Sequence, residues 1–171
     1  MPNTYTLIAS NTLSTATATI TFSSIPATYT DLLVKISARD TYASVSTAFY
    51  LEFNGNTGAN YNMRRLRGTG SAADSYSESN TTTINLYNIK PGSSATANTF
   101  GNAEIYIPNY TSSNNKSVSV DGVGENNATE AYAALFAGLW AQTNAITSIK
   151  LYAETSFVQY STFYLYGIKN S

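Results

Sequence analysis

TEAYAALFAGLWAQ, residues 129–142, is the segment of this chain that a helix and a strand can both claim, and its reading decides the fold. Its alanines and leucines suit a helix. Yet Tyr132, Ala134, Phe136, Gly138 and Trp140 alternate with Ala133, Leu135, Ala137 and Leu139, the period-two pattern of a strand. With Gly138 inside it and strand patterns on both sides, the segment reads as a strand buried on both faces. The chain is then all-β.

The same alternation extends outward in both directions. In ATATITF, Ala16, Ala18, Ile20 and Phe22 share one side and the threonines the other. DLLVKISAR places Leu32, Val34, Ile36 and Ala38 inward, with Leu33, Lys35, Ser37 and Arg39 opposite. FYLEF puts Phe49, Leu51 and Phe53 inside and Tyr50 and Glu52 outside; AEIYI sets Ala103, Ile105 and Ile107 against Glu104 and Tyr106. TINLY, SVSV, ITSIKLYA and FYLYGI repeat the rule. Turn chemistry separates these runs, most clearly Asn54-Gly55-Asn56, where Asn-Gly tolerates positive φ. The expected fold is an antiparallel two-sheet β-sandwich, jelly-roll-like, with about ten strands. One domain spans residues 1–171, with a long irregular loop at about 55–80, rich in Gly, Ser and Asn. The closing TFYLYGI reads as an interior strand: Phe163 and Leu165 face the core, Tyr164 and Tyr166 face away, and Gly167 leaves room for a close neighbour or a bulge.

Composition narrows the function. Of 171 residues, 43% are hydrophobic and only 11% charged, nine basic against ten acidic. That balance makes no electrostatic case for nucleic acid or an anionic membrane. There is no Cys and no His, which excludes disulfides, thiolate nucleophiles, histidine bases and ordinary zinc sites. No apolar run approaches the ~20 residues of a membrane helix. The opening MPNTYTLIAS has no basic or long apolar region of a signal peptide, so synthesis in the cytoplasm is expected.

Chemistry-bearing groups are sparse. Strand-borne Glu52, Glu104 and Glu154 could pair as glycosidase carboxylates, but solvated outward side chains explain them better. Asp121-Gly-Val-Gly-Glu125 resembles a calcium loop, with Asp121, Glu125, Asn126 and Asn127 as oxygen donors. A turn between strands accounts for Gly122 and Gly124 more simply, so no metal and no cofactor is assigned. Arg64, Arg65 and Arg67 in the supposed loop form the densest charge cluster, suited to an acidic neighbouring subunit or to an exposed edge. Outward Tyr50, Tyr106, Tyr164 and Tyr166 suit a protein interface or a glycan. The sequons at Asn80, Asn109, Asn115 and Asn127 are what an Asn/Ser/Thr-rich chain produces by chance, and no glycans are assigned to them.

TYTLIASNTL and TITFSSIPATYTDLLVKISAR near the start, NTFGNAEIYIPNY and ENNAT with AGLW further on, and FYLYGIKN at the close carry a resemblance. Together they resemble small β-rich proteins encoded among the structural genes of tailed phages, those of marine and cyanobacterial hosts above all. The resemblance spans nearly the whole chain, apart from the stretches 55–80 and 110–118, and brings no catalytic residues with it. It implies a non-enzymatic virion component: a capsid decoration protein, or alternatively a tail-associated domain that binds host glycans. A glycan-degrading enzyme is a distant third. Capsid or tail proteins are the implied partners. A homo-oligomer is expected, with a trimer favoured, and a stand-alone decoration protein is preferred because no stalk segment is visible.

Overall fold

The computed structural model describes residues 4–126 and 130–169. Twelve strands and no helix occur among them: β1 (Tyr5–Thr12), β2 (Thr17–Phe22), β3 (Asp31–Ala38), β4 (Ser46–Phe53), β5 (Tyr61–Gly68), β6 (Ala73–Thr81), β7 (Ile84–Pro91), β8 (Gly101–Ile107), β9 (Lys116–Gly124), β10 (Tyr132–Trp140), β11 (Ile149–Phe157) and β12 (Thr162–Ile168). They form an eight-stranded sheet in the order β1-β12-β3-β8-β9-β10-β5-β6 and a four-stranded sheet in the order β2-β11-β4-β7. All pairings are antiparallel.

The order resolves into a jelly roll with two insertions. The four strands β1-β12-β3-β8 face the four strands β2-β11-β4-β7, and consecutive pairs cross between the sheets as two wrapped Greek keys require. The hairpins β9–β10 and β5–β6 are added beside β8 and widen one sheet from four strands to eight. The wide sheet therefore overhangs the narrow one.

A single apolar core fills the interface. Val34, Phe49, Leu51, Phe53, Ile105, Leu151, Phe163 and Leu165 are fully buried, and Ile20, Phe22, Ile36 and Phe136 nearly so. The last strand is interior, hydrogen-bonded to β1 on one side and β3 on the other. Gly167 admits a close neighbour, since a Cβ there would lie 2.3 Å from the Tyr29 ring. Asn54 and Gly55 both have positive φ, at 54° and 64°, and Asn56 N donates to Phe53 O at 2.9 Å, so the expected Asn-Gly turn forms. It carries the chain between the sheets, not round a hairpin. Tyr61 braces this corner: its hydroxyl receives Phe53 N at 3.0 Å and donates to Asn56 O at 3.1 Å. Burial pushes its phenol pKa up to about 12.

Several expectations need correction. The stretch at 55–80 is no irregular loop: most of it is the β5–β6 hairpin. β10 is a strand, but it is buried on one face only, and Leu135 is 59% exposed while Phe136 enters the core. Gly122 and Gly124 lie within β9, not in a turn. Gly122 is needed because Ile89 of β7 packs against it, 2.8 Å from where a Cβ would stand. Ala16 and Ala18 are exposed: Ala16 precedes β2, and Ala18 lies where the β2–β11 register is interrupted. Leu33, Arg39 and Glu52, expected on outward sides, are buried.

Candidate functional site

Three places concentrate chemistry: the outer face of the wide sheet, a tyrosine-lined face on the opposite side of the sandwich, and a group of buried charges at one end of the core.

Strand register lays the wide face out in cross-strand rows. One row runs Leu7, Tyr166, Leu33, Tyr106, Ser119, Ala137, Arg64, Ser77 from β1 to β6. The next runs Ser10, Tyr164, Lys35, Glu104, Asp121, Leu135, Leu66, Ser75. The β12–β3–β8 half is closed over by its own contacts. Tyr164 and Tyr166 stack with centroids 6.4 Å apart, Tyr106 donates to Asp31 Oδ2 at 2.9 Å, and Lys35 pairs with Glu104 at 2.7 Å. The hydrogen bond and charge of Glu104 raise the Lys35 pKa; burial, then Asp31, raises that of Tyr106. The β9–β10–β5 half is different. Short side chains at Ala133 and Gly68 leave a shallow depression of about 610 Å³, and Leu66, Leu135 and Val123 stand exposed around it. Asp121 faces Glu104 across the strands at its border.

The opposite face belongs to the narrow sheet. Tyr50 and Tyr152 stack at 5.0 Å with their rings 21° apart. The Tyr50 hydroxyl donates to Glu154 Oε2 at 2.5 Å, and burial together with that carboxylate pushes its pKa far above the ordinary phenol value. Asn85 sits opposite Tyr50 and donates to the Tyr87 hydroxyl at 3.1 Å and to Glu78 Oε2 at 2.6 Å. Tyr87 meets Tyr76 edge-on at 6.0 Å. Burial, then Glu78, pushes the Tyr87 pKa up to about 12. The result is a continuous aromatic and amide surface that passes from the narrow sheet onto the overhanging hairpin.

The expected interface residues therefore do not converge. Tyr50 lies on one side of the sandwich and Tyr106, Tyr164 and Tyr166 on the other. The arginines, expected in a loop, are strand residues of β5 and point to opposite sides. Arg64 faces outward on the wide sheet. Arg65 and Arg67 face the overhang and are occupied: Arg65 and Arg67 both bind Asp74, with Arg65 Nη2 2.9 Å from Oδ1, and both donate to Asn88 Oδ1. The Arg67 hydrogen bond leads in holding the Asp74 carboxyl below its usual range. These two arginines lock the hairpin; they are not free for a partner.

Nor do the carboxylates assemble. Glu52 pairs with Lys150, Glu104 with Lys35 on the far sheet, and Glu154 with Tyr50. Asp121 lies within β9 and Glu125 beyond its end, four residues on and about 13 Å along an extended chain. Asn127 lies outside the described residues. No group of three or more carboxylates with metal-ligand spacing occurs among the described residues.

The buried charges had no sequence signal at all. Lys90 and Asp40 form an ion pair with both side chains fully buried. The Lys90 ammonium lies 5.2 Å from the Phe49 ring centre and 5.1 Å from that of Phe157. Burial lowers its pKa to about 8, against the opposing pull of Asp40. Asp40 Oδ1 accepts Tyr42 N at 2.9 Å and Ser156 N at 3.2 Å, while Oδ2 accepts Glu154 N at 3.0 Å. A register irregularity in β11 between Tyr152 and Phe157 turns the Glu154 and Ser156 amides toward it. Burial pushes the Asp40 pKa up, but Lys90 and the amides outweigh it and hold it below the ordinary value. Next to it, Arg39 is caged by carbonyls, donating to Thr96 O at 2.7 Å and Ala95 O at 2.9 Å and so fixing the loop before β8. Lys116 is caged likewise by Ser112 O at 2.7 Å and Asn114 O at 2.5 Å.

No protein-family model matches the chain, and a search of curated proteins returns no significant match.

Proposed function

We propose that the protein is a non-catalytic structural subunit of a tailed-phage particle, a capsid decoration protein that seats through the outer face of its wide sheet. The observation that carries this reading is the exposed apolar ground around Leu66, Leu135 and Val123, set on a sheet twice as wide as its partner. Exposed leucines grouped in one depression mark a contact surface more than a solvated one. Sparse charge and the phage-like phrasing of the sequence support the same conclusion. Virion localisation and self-association, a trimer first, belong to this proposal.

Repetition on a symmetric particle lets a modest contact act with avidity. Replacing Leu66 and Leu135 together with serine is expected to abolish co-sedimentation with particles stripped of this subunit. Being exposed, each change should alter stability by no more than about 0.5 kcal/mol. Undiminished attachment of the double variant would overturn the assigned face.

A second reading, a glycan-binding adhesion module, rests on the Tyr50–Tyr152 stack and its amide and carboxylate neighbours. Aromatic faces receive the apolar side of a sugar ring while the amides take its hydroxyls. Tyr152→Ala is expected to remove binding on an array of host surface glycans, with folding unchanged. An array on which the parent protein itself binds nothing would remove this reading.

A further inference from the structure

We propose that Lys90 and Asp40 condense to an amide, a covalent cross-link inside the sandwich between the segment that follows β3 and strand β7. Lys90 Nζ lies against Asp40 Oδ2, and both side chains are fully buried. The phenylalanine rings on either side of the amine exclude water. Oδ1, the oxygen that does not contact the amine, accepts two backbone N–H groups, from Tyr42 and Ser156. Oδ2, which faces the amine, accepts one backbone N–H, from Glu154 at 3.0 Å. The heavier share of fixed dipoles thus falls on Oδ1, where acyl transfer develops negative charge, and Oδ2 is the leaving oxygen.

The step balances within the pair. One proton passes from the Lys90 ammonium to Oδ2, giving an amine and a carboxylic acid; a dry site narrows the gap between this neutral form and the ion pair. Nζ then attacks Cγ, forming the C–N bond, and Oδ1 becomes the oxyanion under the Tyr42 and Ser156 amides. A second proton moves from Nζ to the Oδ2 hydroxyl, the Cγ–Oδ2 bond breaks, and water departs. Two amine protons and one carboxylate oxygen make that water; nothing is oxidised or reduced. Rigid positioning by strand β7 and by the segment after β3, bridged at Asp40 to Phe157, supplies the high effective concentration that an amine and an acid in solution lack. Burial, which lowers the Lys90 pKa to about 8, works in the same direction.

The other lysine ion pairs among the described residues lack these elements. Lys150 and Lys35 have 38% and 49% exposed side chains and meet glutamates open to water or held by no such amide pair. In a chain with no cysteine, a Lys90–Asp40 amide would serve where a disulfide cannot, tying positions 50 residues apart.

The test is the intact mass of the purified full chain under denaturing conditions, measured beside Asp40→Ala. The parent is expected to be lighter than its sequence by one water, and the variant to match its own sequence. Proteolysis of the parent should release a branched peptide that contains both Asp40 and Lys90. Denatured mass does not depend on the variant folding. A parent at full sequence mass, a water deficit that persists in Asp40→Ala, or the two residues recovered in separate peptides would each overturn the proposal.

Discussion

Removing residues 163–171 is expected to leave a chain that neither folds cooperatively nor stays soluble. β12 lies between β1 and β3, and β1 hydrogen-bonds to no other strand, so the truncation strips one strand and orphans a second. It also vacates the positions of Phe163 and Leu165, both fully buried. Each such loss costs about 2–5 kcal/mol in a core that cannot collapse around it. Two of them consume much of the ~5–15 kcal/mol that holds a domain together. The bared β3 edge, with Leu32 and Val34 beside it, would then invite edge-to-edge association. Urea unfolding followed by circular dichroism is the check. A soluble truncated chain with a single sharp transition would show the last strand to be an accessory.

The features legible in the sequence were those that alternation encodes. Strands with one apolar side, such as Leu32-Val34-Ile36 or Ala103-Ile105-Ile107, announce their inward faces because a period of two admits no other reading. The β5–β6 hairpin escaped for the same reason inverted. β6 is an outermost strand carrying ADSYSESNT, half-open on both sides, and β5 runs past the end of the narrow sheet, so that Arg65 and Arg67 replace apolar residues at its inward positions. A strand without a buried face looks like a loop. Leu135 was misplaced because alternation does not say whether the second face is covered, and on β10 it is not. That Tyr50 and Tyr106 stand on opposite sides follows from sheet assignment, which pairs β4 with β7 and β11 but β8 with β3 and β9. No local pattern encodes that choice. The opposition suits both proposed uses at once: one face to seat the subunit, the other left for contact with the outside.

Buried charge is the feature furthest from the sequence, and the sharpest energetic consequence attaches to it. Measured against parent protein in which Lys90 and Asp40 have not condensed, Lys90→Met is expected to destabilise the protein by about 3–5 kcal/mol at neutral pH, far more than loss of a surface lysine. Methionine fills a similar volume between Phe49 and Phe157, so packing is not the cause. The cost is Asp40, left fully buried without a cation and with only backbone amides for company. In that ion-paired parent, Lys90 helps to hold the Asp40 pKa below its ordinary value. That contribution is present above the unfolded carboxyl pKa and is lost as pH falls through the folded one. Without Lys90 the folded pKa rises, and the variant sheds its penalty by protonating Asp40. The stability gap between parent and variant should therefore narrow as pH is lowered toward about 4. Asp40→Leu should show no such recovery, because three amides lose their acceptor whatever the pH. Denaturant midpoints for the three proteins across this pH range decide the matter: a Lys90→Met gap that is small, or that stays constant with pH, would mean that the buried carboxylate is sustained by its amides alone.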